Sequence, residues 1–151
     1  MTLEFTENSM RRLTALVLVL ATACAKGKSE IQFLPRPNAP GPFSEAVRAD
    51  DIMFLSGVLG TDSTGRLVPG GIGPETRQAL ENIKAALARN GLTMGNVVKC
   101  TAMLADIADW PAMNAVYTTY FPGPKPARSA FGGVQLVLNA RMELECLAAI
   151  P

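Results

Sequence analysis

The chain has 151 residues, 48% of them apolar, enough to bury one hydrophobic core and too few to argue for two. Lys and Arg number 14 against 13 Asp and Glu, so no basic field announces nucleic acid and no acidic block announces a solvated tail. Histidine is absent, which removes the commonest neutral-pH acid/base and the commonest metal ligand together.

Cysteine usage is equally restrictive. Cys24, Cys100 and Cys146 lie far apart, with no CxxC pair and no carboxylate cluster at metal-ligand spacing, so neither a zinc site nor a redox motif is supported. Cys100 and Cys146 fall at apolar strand positions and read as small buried hydrophobes, although an exported chain could join them.

The N-terminus reads as an address label. Arg11-Arg12 precede the apolar run Leu13 to Ala23, then Cys24: a basic n-region, an apolar h-region and a small-residue cleavage site. The run is only about half of the roughly 20 apolar residues a membrane span requires. Residues 1–23 are therefore expected to be a signal peptide, and a start at Met10 would make a compact one. Its removal takes away Arg11, Arg12, Glu4 and Glu7 and leaves the net charge at +1. Residues 24–30, small and charged after Cys24, read as a tether, and the domain is expected over 31–151.

Ile31 to Leu34 reads as a strand halted by Pro35 and Pro37, with a turn at Pro40-Gly-Pro42. Ala46 to Ala49 and Ile52 to Leu59 flank the turn pair Asp50-Asp51 and read as a hairpin, the second arm dense enough in apolar residues to be buried on both faces. Thr61 to Gly73 is a loop. From Pro74 to Asn90, Ala79, Ile83, Ala86 and Leu87 recur at helical spacing, and Asn90-Gly91 closes that helix. Val97 to Leu104 is strand-like, and a second helix runs from about Trp110 to Tyr120 with Asp106 or Asp109 as its cap. Ala127 to Leu138 and Arg141 to Ile150 read as strands. In the last, Met142, Leu144 and Cys146 share one face and Glu143 and Glu145 the other. The order βββαβαββ describes an α+β fold: about six strands in a mixed sheet, two helices on one face. The other face then needs a partner, so oligomerisation is a physical expectation.

Read together, Gly41-Pro-Phe-Ser-Glu-Ala-Val47, Leu55-Ser-Gly57, Glu75-Thr-x-Gln78, Asn82, Val97-Val-Lys99, Asn114-x-x-Tyr117, Tyr120-Phe121, Pro126-Ala-Arg-Ser129 and Glu143-Leu-Glu145 resemble the Rid/YjgF family, in register from about Ile31 to the C-terminus. The segment Leu20-Ala-Thr-Ala-Cys24 resembles the lipobox of bacterial lipoproteins, with Cys24 as the lipidated residue. The family resemblance implies a chorismate-mutase-like fold, a homotrimer closed through the open sheet face, and substrate sites at the subunit clefts. It also implies hydrolytic deamination of 2-aminoacrylate-like enamines and imines to 2-oxo acids and ammonia, of the 2-iminobutanoate/2-iminopropanoate deaminase type, with no cofactor and no metal.

By resemblance, Arg128 binds the substrate carboxylate through two parallel hydrogen bonds, which its planar guanidinium suits. Glu143 holds a water against the imine carbon, a role that needs an ionised acceptor and no histidine. Backbone N–H groups near Gly57 and Ala130 complete the carboxylate pocket, and Phe43 and Asn114 line the cleft. Three positions depart from the family's habit: Phe43 stands where tyrosine is common, Val58 where glutamine is, and Ala130 where the deaminase branch often has cysteine. These changes suit a second reading, a non-catalytic trimer of the cell envelope that binds small carboxylates. A third, the endoribonuclease activity attributed to some family members, finds no basic stripe and little aromatic interleaving, so no nucleic acid partner is expected. The membrane is expected to be reached only through a lipid anchor at Cys24, in the periplasm or cell envelope.

Overall fold

The computed structural model describes residues 29–37 and 41–151. The signal peptide, the Met10 start, Cys24 and most of the tether lie outside the described residues, as does Pro40 of the proline-rich turn.

Among the described residues seven strands form one sheet: β1 (Ile31–Leu34), β2 (Ala46–Ala49), β3 (Ile52–Leu55), β4 (Val58–Leu59), β5 (Val97–Leu104), β6 (Ala127–Phe131) and β7 (Met142–Ala149). Their order is β1-β2-β3-β7-β5-β6, with β4 continuing beside β7. Among the described strands only β5 and β6 run parallel. They are joined through α2 (Trp110–Tyr117), a crossover long enough to return the chain to the same end of the sheet. The longer helix, α1 (Ile72–Arg89), packs against α2, β4 and β7.

Helix α1 forms where the spacing predicts. Thr76, Ala79, Leu80, Ile83, Ala86 and Leu87 are buried at three- and four-residue intervals, a stripe that must face the core. It begins two residues earlier than Pro74, whose missing N–H costs nothing in a first turn. It ends where expected: Gly91 adopts φ +72°, and the N–H groups of Leu92 and Gly91 donate to Leu87 and Ala88 carbonyls. Asp106 caps the short turn before α2 by accepting from the Ala108 N–H, while Asp109 instead pairs with Arg141. Helix α2 tightens after Tyr117 into a 3₁₀ turn over Thr118–Tyr120.

Three strand expectations need correction. Ile52 to Leu59 is not one arm: between the pairs Phe54–Leu147 and Val58–Leu144 the first strand advances four residues and β7 only three. That extra residue is a bulge at Ser56-Gly57, which divides β3 from β4 and raises the expected six strands to seven. Nor is that arm buried on both faces. Met53 and Leu55 face the helices, but Phe54 is 47% exposed. Ala127 to Leu138 stops pairing at Phe131, because Gly132 lies so close to the Ile107 backbone that a Cβ there would sit 2.6 Å from its nitrogen. The chain then turns through Gly133 and a 3₁₀ turn at Val137–Asn139.

Cys100 and Cys146 are directly opposed on β5 and β7 and are joined as a disulfide, Cα to Cα 4.1 Å. The expectation of two free thiols fails because the strand register, invisible in the sequence, puts them face to face.

Both helices cover one face of the sheet. On the other, Phe33, Val47, Phe54 and Leu147 form a cross-strand row, with Phe33 69% exposed.

Candidate functional site

Arg128 lies on β6, the last strand in the sheet order, level with Cys100 of β5. Residues paired across strands share a face, so its side chain rises on the helix side. There α2 meets it. Asn114 Oδ1 accepts a hydrogen bond from Arg128 Nη2 at 2.8 Å, and the guanidinium carbon lies 4.4 Å from the centroid of Tyr117 and 5.7 Å from that of Trp110. Arg128 Nη1 is buried and has no hydrogen-bond partner among the described residues. Among the described residues Arg128 makes no ion pair, so a half-buried cation offers an unused donor and an unneutralised charge. That is the electrostatic requirement of an anion site. Burial pushes the Tyr117 hydroxyl up from its ordinary value, against the smaller pull of Arg128, so the ring beneath the guanidinium is a neutral phenol. Ala130, two residues on, pairs with buried Ala102 and packs on the core.

Glu143 lies on β7 between Leu59 of β4 and Met103 of β5. It stands three residues from Cys146 in a strand whose side chains alternate, so it projects from the open face. Its carboxylate rests on Gly57: a Cβ built there would sit 1.9 Å from Oε1. Burial, then repulsion from Glu145, holds the Glu143 carboxyl above the ordinary glutamate value. The Phe43–Glu45 segment is tied to the same bulge, Ser56 Oγ donating to the Ser44 carbonyl at 2.7 Å and the Ser56 N–H to the Glu45 carbonyl at 3.0 Å. Phe43 itself is 56% exposed, with the Arg36 guanidinium 5.4 Å from its ring centroid.

The sequence-predicted residues thus fall into two groups. Phe43, Gly57 and Glu143 gather around the bulge; Arg128, Asn114 and Ala130 gather at the β6 margin under α2. Arg128 and Glu143 project from opposite faces of the sheet, so one chain does not unite them. A groove of about 810 Å³ contains neither group. It lies between the end of α1 and Tyr120 to Pro126, and both its cations are engaged, Lys84 by Glu81 and Lys125 by the Phe121 carbonyl. No cluster of three metal-ligating side chains occurs among the described residues.

Sequence reasoning gave no role to Trp110, Tyr117 or Ser56. The first two were within reach: Trp110, Asn114 and Tyr117 stand at i, i+4 and i+7, one stripe of a helix.

Comparison with known proteins agrees with this architecture. Residues 33–150 match the model of the family described as Endoribonuclease L-PSP. Reactive Intermediate Deaminase A of Arabidopsis thaliana is 41% identical over 133 residues, 87% of this chain and 71% of that protein. The 2-iminobutanoate/2-iminopropanoate deaminase of Mus musculus is 44% identical over 113 residues, 74% of this chain and 84% of that one. The crystal structure of E. coli TdcF with bound serine superposes with a TM-score of 0.70 at 29% identity, covering 83% of this chain and all of that one. A family model matching residues 33–150, relatives above 40% identity and a shared fold lead to one conclusion: this chain belongs to the Rid/YjgF family, whose model carries the name L-PSP.

Proposed function

We propose that this chain is a deaminase that hydrolyses reactive enamine and imine intermediates of the 2-aminoacrylate type to 2-oxo acids and ammonia. The observation that carries the reading is Arg128 Nη1, buried, cationic and without a partner, which suits the carboxylate such substrates share. The names of the plant and mouse relatives support the reaction, and the serine bound by the E. coli relative supports a small amino-acid-like ligand.

The chemistry asks little of the protein. The enamine tautomerises to its imine; water adds to the C=N carbon, its proton passing through Glu143 to the nitrogen; the hydroxyl proton of the resulting carbinolamine then takes the same route as the C–N bond breaks, so that ammonia leaves and the carbonyl forms. Glu143, with its proton affinity raised by burial, accepts and returns a proton more readily than an exposed glutamate. Arg128 fixes the carboxylate, and fixing two reactants in one place supplies the few kcal/mol required.

The opposed placement of Arg128 and Glu143 supports a site completed between copies, with the exposed Phe33 and Phe54 row closed in a homotrimer. Export and a lipid anchor at Cys24 rest on the N-terminal sequence, and the Cys100–Cys146 disulfide supports an oxidising compartment.

The test is ammonia release from enzymatically generated 2-aminoacrylate by the domain from Lys26 onward, beside Arg128→Ala. Wild type is expected to accelerate release and the variant to lose that acceleration while keeping its oligomeric state. A wild type that binds 2-oxo acids without accelerating release establishes a carboxylate-binding trimer instead, and a variant that unfolds recasts Arg128 as structural.

A further inference from the structure

Arg128 is held by one helix. Trp110, Asn114 and Tyr117 stand on a single stripe of α2, and all three meet the guanidinium. A guanidinium donates hydrogen bonds only in its own plane, so what fixes that plane decides where its free N–H groups point. Asn114 engages Nη2 and fixes rotation within the plane, leaving tilt to whatever the flat face rests on. The Tyr117 ring, 4.4 Å away and itself buried against Phe121 at 4.9 Å between centroids, cannot yield. Trp110 lies farther off and 39% exposed, where the same contact is shallower.

We propose that Tyr117 and Trp110 are positioning residues: their rings hold the plane of the Arg128 guanidinium, the group that receives the carboxylate of the incoming imine. The proposal rests on the reading of Arg128 as the carboxylate anchor. The Tyr117 hydroxyl takes no part in the platform. It is buried and unpartnered, so a phenylalanine ring would serve as well and would remove an unsatisfied polar atom. Trp110 is the chain's only tryptophan, so its emission reports directly on events at Arg128.

The experiment is a titration of the intact protein with pyruvate and, as a neutral counterpart of the same shape, pyruvamide. Binding is followed by Trp110 emission and, for the tryptophan variant, by calorimetry. Wild type is expected to bind pyruvate in preference to pyruvamide. Tyr117→Leu is expected to weaken pyruvate about tenfold, the scale of a desolvated cation–π contact, and to leave pyruvamide unchanged, while Tyr117→Phe restores wild-type affinity for both. KM for the imine should rise in Tyr117→Leu more than kcat falls. If the buried leucine variant does not fold, Trp110→Leu at the exposed start of α2 carries the test with a two- to threefold loss for pyruvate alone, at the low end of the same range.

Equal losses for pyruvate and pyruvamide, or a phenylalanine that fails to rescue, would overturn the proposal and make these rings ordinary packing. Arg128→Ala separates the layers. If it still binds pyruvate, the anchor reading falls and the proposal with it; if it loses pyruvate while Tyr117→Leu and Trp110→Leu both keep it, only the aromatic platform falls.

Discussion

Gly57→Ala separates catalysis from stability at a single methyl group. The new Cβ would lie 1.9 Å from Glu143 Oε1 and 2.9 Å from its Cδ, where ordinary contact begins near 3.4 Å. The oxygen must therefore retreat by about 1.5 Å, and a misplacement of about 1 Å costs on the order of a hundredfold in rate, about 2.7 kcal/mol of barrier. The fold should hardly notice. Gly57 is not among the residues at positive φ, so alanine fits its backbone, and the displaced atoms are the far end of a flexible side chain. Loss of unfolded-state entropy even returns about 0.4–1 kcal/mol. The assay is kcat and KM for ammonia release from 2-aminoacrylate, beside the thermal midpoint of the same preparation. The expected outcome is kcat down about a hundredfold, KM little changed, and a midpoint within a few degrees of wild type. Undiminished kcat at undiminished stability would refute the argument that Glu143, held on Gly57, handles the water.

Glu143 must be ionised to accept a proton and its pKa lies above the ordinary glutamate value, so kcat/KM should fall off on the acid side at a pH above that value. Glu145→Gln should move the limb down, because Glu145 is one of the two causes of the shift; a limb that does not move assigns it to another group. The same raised pKa means the folded state binds more protons than the unfolded chain between the two pKa values, so stability falls as pH rises through that window, and Glu143→Gln should flatten that slope in pH-dependent denaturant melts. For export, Cys24→Ser in the full chain should release the protein from membranes in cell fractionation, and unchanged membrane association would refute lipidation there.

What the sequence reveals and what it hides divide along the range of the interactions. Helix α1, its Asn90-Gly91 ending, β5 and the alternation of β7 depend on neighbours within four residues, so apolar spacing and turn chemistry suffice to find them. The bulge at Ser56-Gly57 does not. It arises because β3 and β4 advance four residues against three on a strand about ninety positions away, and the Ser56-Gly57 pair inside the otherwise apolar Ile52 to Leu59 does not by itself say that the register slips there. The disulfide escapes for the same reason: Cys100 and Cys146 are 46 positions apart and meet only through register. Local reasoning also stops Ala127 to Leu138 too late, since Gly132 ends the strand by its approach to Ile107, a contact the chain makes only once folded. The candidate site shows the division most sharply. Resemblance names Arg128 and Glu143, but only strand pairing reveals that they project from opposite faces.

That opposition makes the proposed shared site testable without a structure of the assembly. If each site takes its arginine from one copy and its glutamate from the next, Arg128→Ala and Glu143→Gln homotrimers are each inactive for a different reason, and each retains what the other lacks. Co-expressed in equal amounts, they should assemble at random around a closed three-fold ring. A site is then intact when an arginine-bearing Glu143→Gln copy adjoins a glutamate-bearing Arg128→Ala copy in the right order, about one arrangement in four. Ammonia release should recover to about a quarter of wild type, far above either variant alone. A site held within one chain predicts no recovery at any mixing ratio, because every chain then carries one lesion in its own site. The position of Arg128 favours the first outcome: β6 ends the sheet order, so its helix-side margin is open to approach by another chain, whereas Glu143 stands between strands on both sides and can be met only from above the open face.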